Sequence, residues 1–230
     1  MTETSSAPAP STVRWSRPEG ERTDDLLILL HGYGADEHDL FGLVAHLPEH
    51  LTAVSVRAPL ALSTGGAAWF PLSQDPVTGE IGADAGAVRS AVEALDAWVR
   101  EVRPGFRTVS LLGFSQGMAM ATSLLRLDPE AYACTVALSG FVVDPRHVEA
   151  GLEGLFPADD VVAAAKPKVF WGRGQADPII SEHRVEESHA WLLANTDLTK
   201  VVYAGLGHAI SPQELGHVKE YLVHMVPPRG

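Results

Sequence analysis

Thr108-Val109-Ser110-Leu111-Leu112-Gly113-Phe114-Ser115-Gln116-Gly117 joins an apolar run to a helical one, Met118 to Leu127. A G-x-S-x-G between a strand and a helix is the signature of a nucleophile elbow, a sharp turn that lifts a serine hydroxyl clear of the backbone. Side chains two residues before and after the serine would collide, which accounts for Gly113 and Gly117. On this reading Ser115 attacks an acyl carbonyl.

Outward from the elbow, short apolar runs recur at Leu26 to Leu30, Ala53 to Val56, Val109 to Leu112, Thr135 to Leu138, Val169 to Trp171 and Val201 to Tyr203. They are continuous rather than alternating, as expected for strands buried on both faces of a parallel sheet. Helical patterns lie between them. Val88, Val92, Leu95, Val99 and Val102 keep helical spacing behind an Asp84 N-cap, and Pro104-Gly105 ends the run. Ser181 is a second N-cap, with Ile180 and Val185 placed as a hydrophobic staple. Ser211-Pro212-Gln213-Glu214 reads as a capping box with proline at the first helical position. Alternation of this kind predicts an α/β fold with a mostly parallel central sheet and helices on both faces. Active sites in such sheets lie beyond the carboxyl ends of the strands.

That rule selects partners for Ser115. A serine hydroxyl is a weak nucleophile and needs an adjacent base. Of ten histidines, His208 stands apart: it follows the strand run Val201 to Tyr203 on a Gly205-Leu206-Gly207 loop. A neutral histidine needs an acceptor to fix its tautomer. Asp177 lies just past the Val169-to-Trp171 run, held in the loop by Pro178. Asp144 is the competing acid, but it opens a polar stretch with no comparable glycine loop. The resulting order, Ser115, Asp177, His208, is that of α/β-hydrolases. An oxyanion needs backbone donors. The residue after the nucleophile, Gln116, supplies one N–H, and Tyr33 in Leu30-His31-Gly32-Tyr33-Gly34 is the choice for the second.

Composition bounds the rest. The chain has 230 residues, 46% hydrophobic and 20% charged, which fits one domain with a large core. Residues 1–12 read as a disordered leader, and 13–230 as the domain. Net charge is -12, which disfavours nucleic acid and anionic membrane as partners. One cysteine, Cys134, forms no internal disulfide, reads as a small core residue, and suits a reducing, cytoplasmic setting. His46 and His50 have i, i+4 spacing, but no H-E-x-x-H is present and Pro48 lies between them, so a polar helix end is preferred to a metal site. No metal and no cofactor is expected.

These residues together resemble the phospholipase/carboxylesterase family of α/β-hydrolases, the small esterases related to acyl-protein thioesterases. The resemblance is carried by Leu30 to Asp36, Ala68-Trp69-Phe70, Gly113 to Gly117, Leu138-Ser139-Gly140, Gly174 to Pro178 and Gly207-His208, in family order across most of the chain. It implies a hydrolase without a large cap, a triad of Ser115, Asp177 and His208, and a Trp69-Phe70 pair near the acyl-binding groove. One departure is Arg173-Gly174, where family members often carry His-Gly before the acid; it places a charge near the acid loop. The stretch Asp144 to Asp160 has no assignable pattern and is left as groove cover or surface decoration.

The expected function is hydrolysis of small soluble carboxylic esters through an acyl-serine. A thioesterase or lysophospholipase on the same site is the alternative, and a non-catalytic binding module on the same fold ranks below both. The expected partner is a small-molecule ester, without stable membrane association; a homodimer is compatible with the sequence but argued by nothing in it.

Overall fold

The computed structural model describes residues 12–63, 65–74 and 81–229, so the leader expected over 1–12 lies outside the described residues apart from Thr12. In chain order the strands are β1 (Val13–Trp15), β2 (Asp25–Leu30), β3 (Thr52–Val56), β4 (Leu60–Ala61), β5 (Ala67–Ala68), β6 (Leu72–Gln74), β7 (Ile81–Ala83), β8 (Thr108–Phe114), β9 (Thr135–Leu138), β10 (Lys168–Gly174) and β11 (Asp197–Tyr203). The α-helices are α1 (Ala85–Val102), α2 (Gln116–Leu127), α3 (Asp159–Ala165), α4 (Glu182–Asn195) and α5 (Pro212–Met225).

Seven strands form one sheet in the order β1-β3-β2-β8-β9-β10-β11. Only β1 runs antiparallel, on the edge against β3; every other pair in this sheet is parallel. β4–β5 and β6–β7 are separate two-stranded ribbons. The chain moves from β2 outward to β3, then returns to β8 on the other side of β2. The order therefore reverses between β2 and β8, the switch point where a crevice opens at the strand ends.

The continuous apolar run Leu26 to Leu30 is wholly buried because it feeds two cores. Leu26, Ile28 and Leu30 pack with Val88, Val92 and Leu95 of α1 and with Met120 and Leu124 of α2. Leu27 and Leu29 face the other side, with Val218 and Leu222 of α5. Helices thus cover both faces, as alternation of strand and helix predicted. The expected caps form: Asp84 Oδ1 accepts from the Ala87 amide (2.8 Å), Ser181 Oγ from Arg184 (3.4 Å) and Ser211 Oγ from Glu214 (3.1 Å). Ile180 and Val185 share one core cluster, as a staple requires.

The stretch Asp144 to Asp160 belongs to the body and not to the groove. Leu152 and Leu155 enter the α1 side of the core. Arg89 on α1 donates to the carbonyls of Gly151 (3.0 Å) and Glu153 (2.8 Å). Arg126 of α2, fully buried, donates to Val143 O and stacks on Phe156 at 3.9 Å. Cys134 is buried too, and burial pushes its thiol up to about 11, the behaviour of a packing residue rather than a nucleophile.

Glu214 is a buried acid with a measurable cost. It lies under the sheet, and a Cβ on Gly172 of β10 would come within 2.3 Å of its Oε1. Burial pushes its carboxyl up to about 7, with the Ser211 amide pulling the other way. The native state then holds a proton that the unfolded chain releases near pH 4.5. Its contribution is fully present below about pH 4.5 and is lost as pH rises through about 7. The loss amounts to about 3 kcal/mol at 1.36 kcal/mol per unit. Glu214→Gln is therefore expected to raise the urea midpoint at pH 8 and leave it nearly unchanged at pH 5. Equal shifts at both values would show that burial of charge is not the cause.

Candidate active site

Ser115 follows the last residue of β8 and caps α2 with φ 56° and ψ -117°, a left-handed conformation that costs about 1–3 kcal/mol for a non-glycine residue. Close packing holds it there. A Cβ on Gly117 would fall 1.8 Å from Leu30 O, and one on Gly113 would fall 2.1 Å from Gly117 O. The two glycines are thus sterically required, and they bring the start of α2 onto the end of β2. The Ser115 amide donates to Leu138 O (2.9 Å), tying the turn to β9.

Asp177 and His208 lie on the loops after β10 and β11, neighbouring parallel strands. The two loops clasp. Ala176 N–H donates to Leu206 O (2.9 Å) and Gln175 N–H to Tyr203 O (2.9 Å). A Cβ on Gly174 would sit 2.1 Å from Leu206 O, so only glycine permits this approach. The structure brings the three predicted side chains into one chain of hydrogen bonds. His208 Nδ1 lies 2.8 Å from Asp177 Oδ2, and His208 Nε2 lies 3.0 Å from Ser115 Oγ. The carboxylate holds the imidazole proton on Nδ1, which leaves the Nε2 lone pair facing the serine. Asp177 Oδ1 accepts from the amides of Ile179 (2.8 Å) and Ile180 (3.3 Å). The Phe114 ring lies 4.9 Å from the imidazole and limits its swing. Asp144, the competing acid, instead accepts from the Val148 amide (2.7 Å), and Arg173 makes no hydrogen bond or ion pair with the Asp177 carboxylate.

The loop after β2 lies against the serine: a Cβ on Gly32 would come within 3.3 Å of Ser115 Cβ. Neither the Tyr33 nor the Gln116 N–H finds an acceptor among the described residues, whereas Gly34 N–H is spent on Ala67 O (2.9 Å). His31 braces this loop from within. Its Nδ1–H donates to Gly32 O (2.7 Å) and its Nε2 accepts from Ala58 N–H (3.0 Å). Burial lowers its pKa, so it stays neutral and keeps both bonds. His50 is likewise committed, donating to Val226 O at 2.6 Å.

Trp69 and Phe70 are a correction. Both are buried in the core and neither lines the groove. Trp69 Nε1–H donates to His31 O (2.9 Å). The Gln116 side chain accepts from Trp69 N–H (2.9 Å) and donates to Phe70 O (2.8 Å). The aromatic pair therefore anchors the loop after β2 to the elbow. The groove, a cavity of about 470 Å³ over Ser115 and His208, is walled by Leu72, Phe141, Ile179 and Ile180, with Tyr33 and Arg184 at its edge. None of these wall residues was singled out as substrate-binding in the sequence. The adjacency of Phe141 to Leu138-Ser139-Gly140, and of Ile179-Ile180 to Asp177, was the available signal.

A mostly parallel sheet with helices on both faces, a strand–serine–helix elbow at its switch point, and an acid and a histidine on later strand ends define an α/β-hydrolase. Residues 17–226 match the phospholipase/carboxylesterase family model, and the chain belongs to that family. It is 22% identical to the esterase YpfH of Escherichia coli (strain K12) over 211 residues, 88% of this chain and 83% of that protein. It is 26% identical to a probable carboxylesterase of Oryza sativa subsp. japonica over 172 residues, 72% of this chain and 62% of that one. Among solved structures, esterase PE8 superposes with a TM-score of 0.73 at 25% identity, covering 95% of this chain and 96% of its own. Acyl-protein thioesterase 2 of Zea mays has the same fold, with a TM-score of 0.71 at 21% identity over 93% of this chain and 98% of that one. No helix among the described residues is long and apolar enough to cross a membrane.

Proposed function

We propose that this protein is a serine carboxylesterase that hydrolyses small carboxylic esters through an acyl-Ser115 intermediate. The observation that carries the reading is the hydrogen-bonded series Asp177, His208, Ser115, opening into a groove beside two amides with no acceptor among the described residues. Ser115 Oγ bonds to the carbonyl carbon as its proton passes to His208 Nε2. Asp177 stabilises the imidazolium, and the Tyr33 and Gln116 amides receive the oxyanion. Collapse of the tetrahedral intermediate breaks the bond to the alkoxide, which takes the proton from His208. Water then attacks the acyl-serine, His208 takes its proton, and the carboxylic acid leaves with Ser115 regenerated.

A cavity of about 470 Å³ with aliphatic and aromatic walls suits a short or medium acyl chain. Thioesters react through the same intermediate and belong in the same substrate panel. A small soluble ester met in a reducing compartment fits the acidic body and the lone buried thiol.

A fluorophosphonate probe is expected to add one phosphonyl group to the protein, on the peptide that contains Ser115, and to block turnover of p-nitrophenyl esters in step with labelling. Labelling elsewhere, or equal labelling of a Ser115→Ala variant, would overturn the mechanism.

A further inference from the structure

Arg184 is the cation among the residues lining the groove that holds Ser115 and His208. It stands in the first turn of α4, seven residues after Asp177, where the Ser181 cap fixes the helix start. Its guanidinium lies over the Phe141 ring at 4.6 Å, which sets the side chain along the groove wall. The side chain is half-buried. Other arginines nearby are engaged. Arg146 pairs with Glu187 (2.5 Å), Arg89 with Glu93 (3.6 Å), and Arg126 with backbone and aromatic rings. Arg184 forms no ion pair and no side-chain hydrogen bond with any described residue. Glu187, three residues on, is taken by Arg146 and His183. Glu149 feels the Arg184 charge without pairing with it.

An arginine fork with spare donors on an otherwise largely apolar wall is matched by one kind of ligand group. We infer that Arg184 makes this groove selective for esters that carry a second, anionic group, in particular a carboxylate: half-esters of dicarboxylic acids. The inference rests on the acyl-Ser115 reading and adds the substrate class to it. The guanidinium is planar and offers two parallel N–H donors, the geometry of a carboxylate. A single positive charge balances a carboxylate and leaves a phosphate dianion half uncompensated. The body carries a net charge of -12, which opposes an anionic substrate at long range. That field is screened within about 8 Å at physiological salt, whereas contact with Arg184 is not.

The test compares the mono-p-nitrophenyl ester of adipic acid with the methyl p-nitrophenyl diester, which has the same chain without the charge. A p-nitrophenyl 5-phosphonopentanoate arm, with the same methylene spacer, separates carboxylate from phosphonate recognition. The quantity read is the ratio of kcat/KM for the charged and neutral esters, in which any loss of folded protein cancels. Arg184→Gln is expected to lower the carboxylate ratio about tenfold, mainly through KM. Arg184→Lys is expected to keep it within about threefold, and Arg184→Glu to lower it further than Gln. A ratio that does not move in the Gln and Glu variants overturns the inference. A phosphonate ratio exceeding the carboxylate one overturns the choice of carboxylate. If the neutral diester is turned over through Ser115 and the ratio stays fixed, only the role of Arg184 fails. If no ester is turned over through Ser115, the mechanism beneath it fails as well.

Discussion

Ser115→Ala is expected to lower kcat toward p-nitrophenyl esters by about 10⁶, the size of effect seen when a triad nucleophile is removed. Two features of the site make the loss this large. His208 Nε2 has Ser115 Oγ at 3.0 Å as its hydroxyl partner, so no second side-chain nucleophile stands in line. Cys134, the chain's one thiol, is buried in the core with its thiol pushed up to about 11 and cannot substitute. The residue stays small, so the contacts of the elbow with Gly32 and the β2 end survive and the fold is retained. Residual acceleration of about 10³ over water comes from the oxyanion amides and binding alone. The check is steady-state turnover together with urea unfolding. A variant that keeps more than about one per cent of wild-type kcat is incompatible with nucleophilic catalysis by Ser115.

Asp177→Asn is expected to cost about 10⁴ in kcat with little change in KM. The amides of Ile179 and Ile180 both point at Asp177 Oδ1. An asparagine must keep its carbonyl oxygen there, because its NH₂ group would leave those amides unpaired. Its NH₂ is then turned toward His208 Nδ1. The imidazole answers by moving its proton to Nε2, where it faces Ser115 and can no longer accept a proton. Two backbone hydrogen bonds therefore enforce the wrong tautomer. Asp177→Ala leaves the tautomer free and is expected to fall less far than Asn, which separates tautomer control from simple loss of charge. An Asn variant more active than the Ala variant would contradict this account.

Much of the arrangement was legible in the chain because the signals are local. The run Leu26 to Leu30 is apolar at every position because a central parallel strand is covered on both faces. Ser115, Asp177 and His208 each sit where a strand pattern stops, and parallel strands place those ends on one side. The Asp84, Ser181 and Ser211 caps were readable because a cap bonds within three residues of itself.

Other features were hidden because their partners are far away along the chain. Trp69 and Phe70 resembled groove residues in sequence, yet the side chain of Gln116, 47 and 46 residues on, captures their backbone and draws them into the core. The stretch from Asp144 to Asp160 has no periodicity because it is ordered by short turns and by contacts with α1 and α2 rather than by one repeating element.

By itself the sequence determined the class of fold, the elbow and which aspartate and histidine meet Ser115, since each rests on a pattern spanning a few residues. Tertiary structure alone decided that Gly174 lets the acid and histidine loops clasp, which side chains wall the groove, and that Arg184 lines it without an ion pair among the described residues. Those outcomes depend on how separate strands and helices approach one another in space, and on which nearby charges are already paired, neither of which any local stretch of sequence encodes.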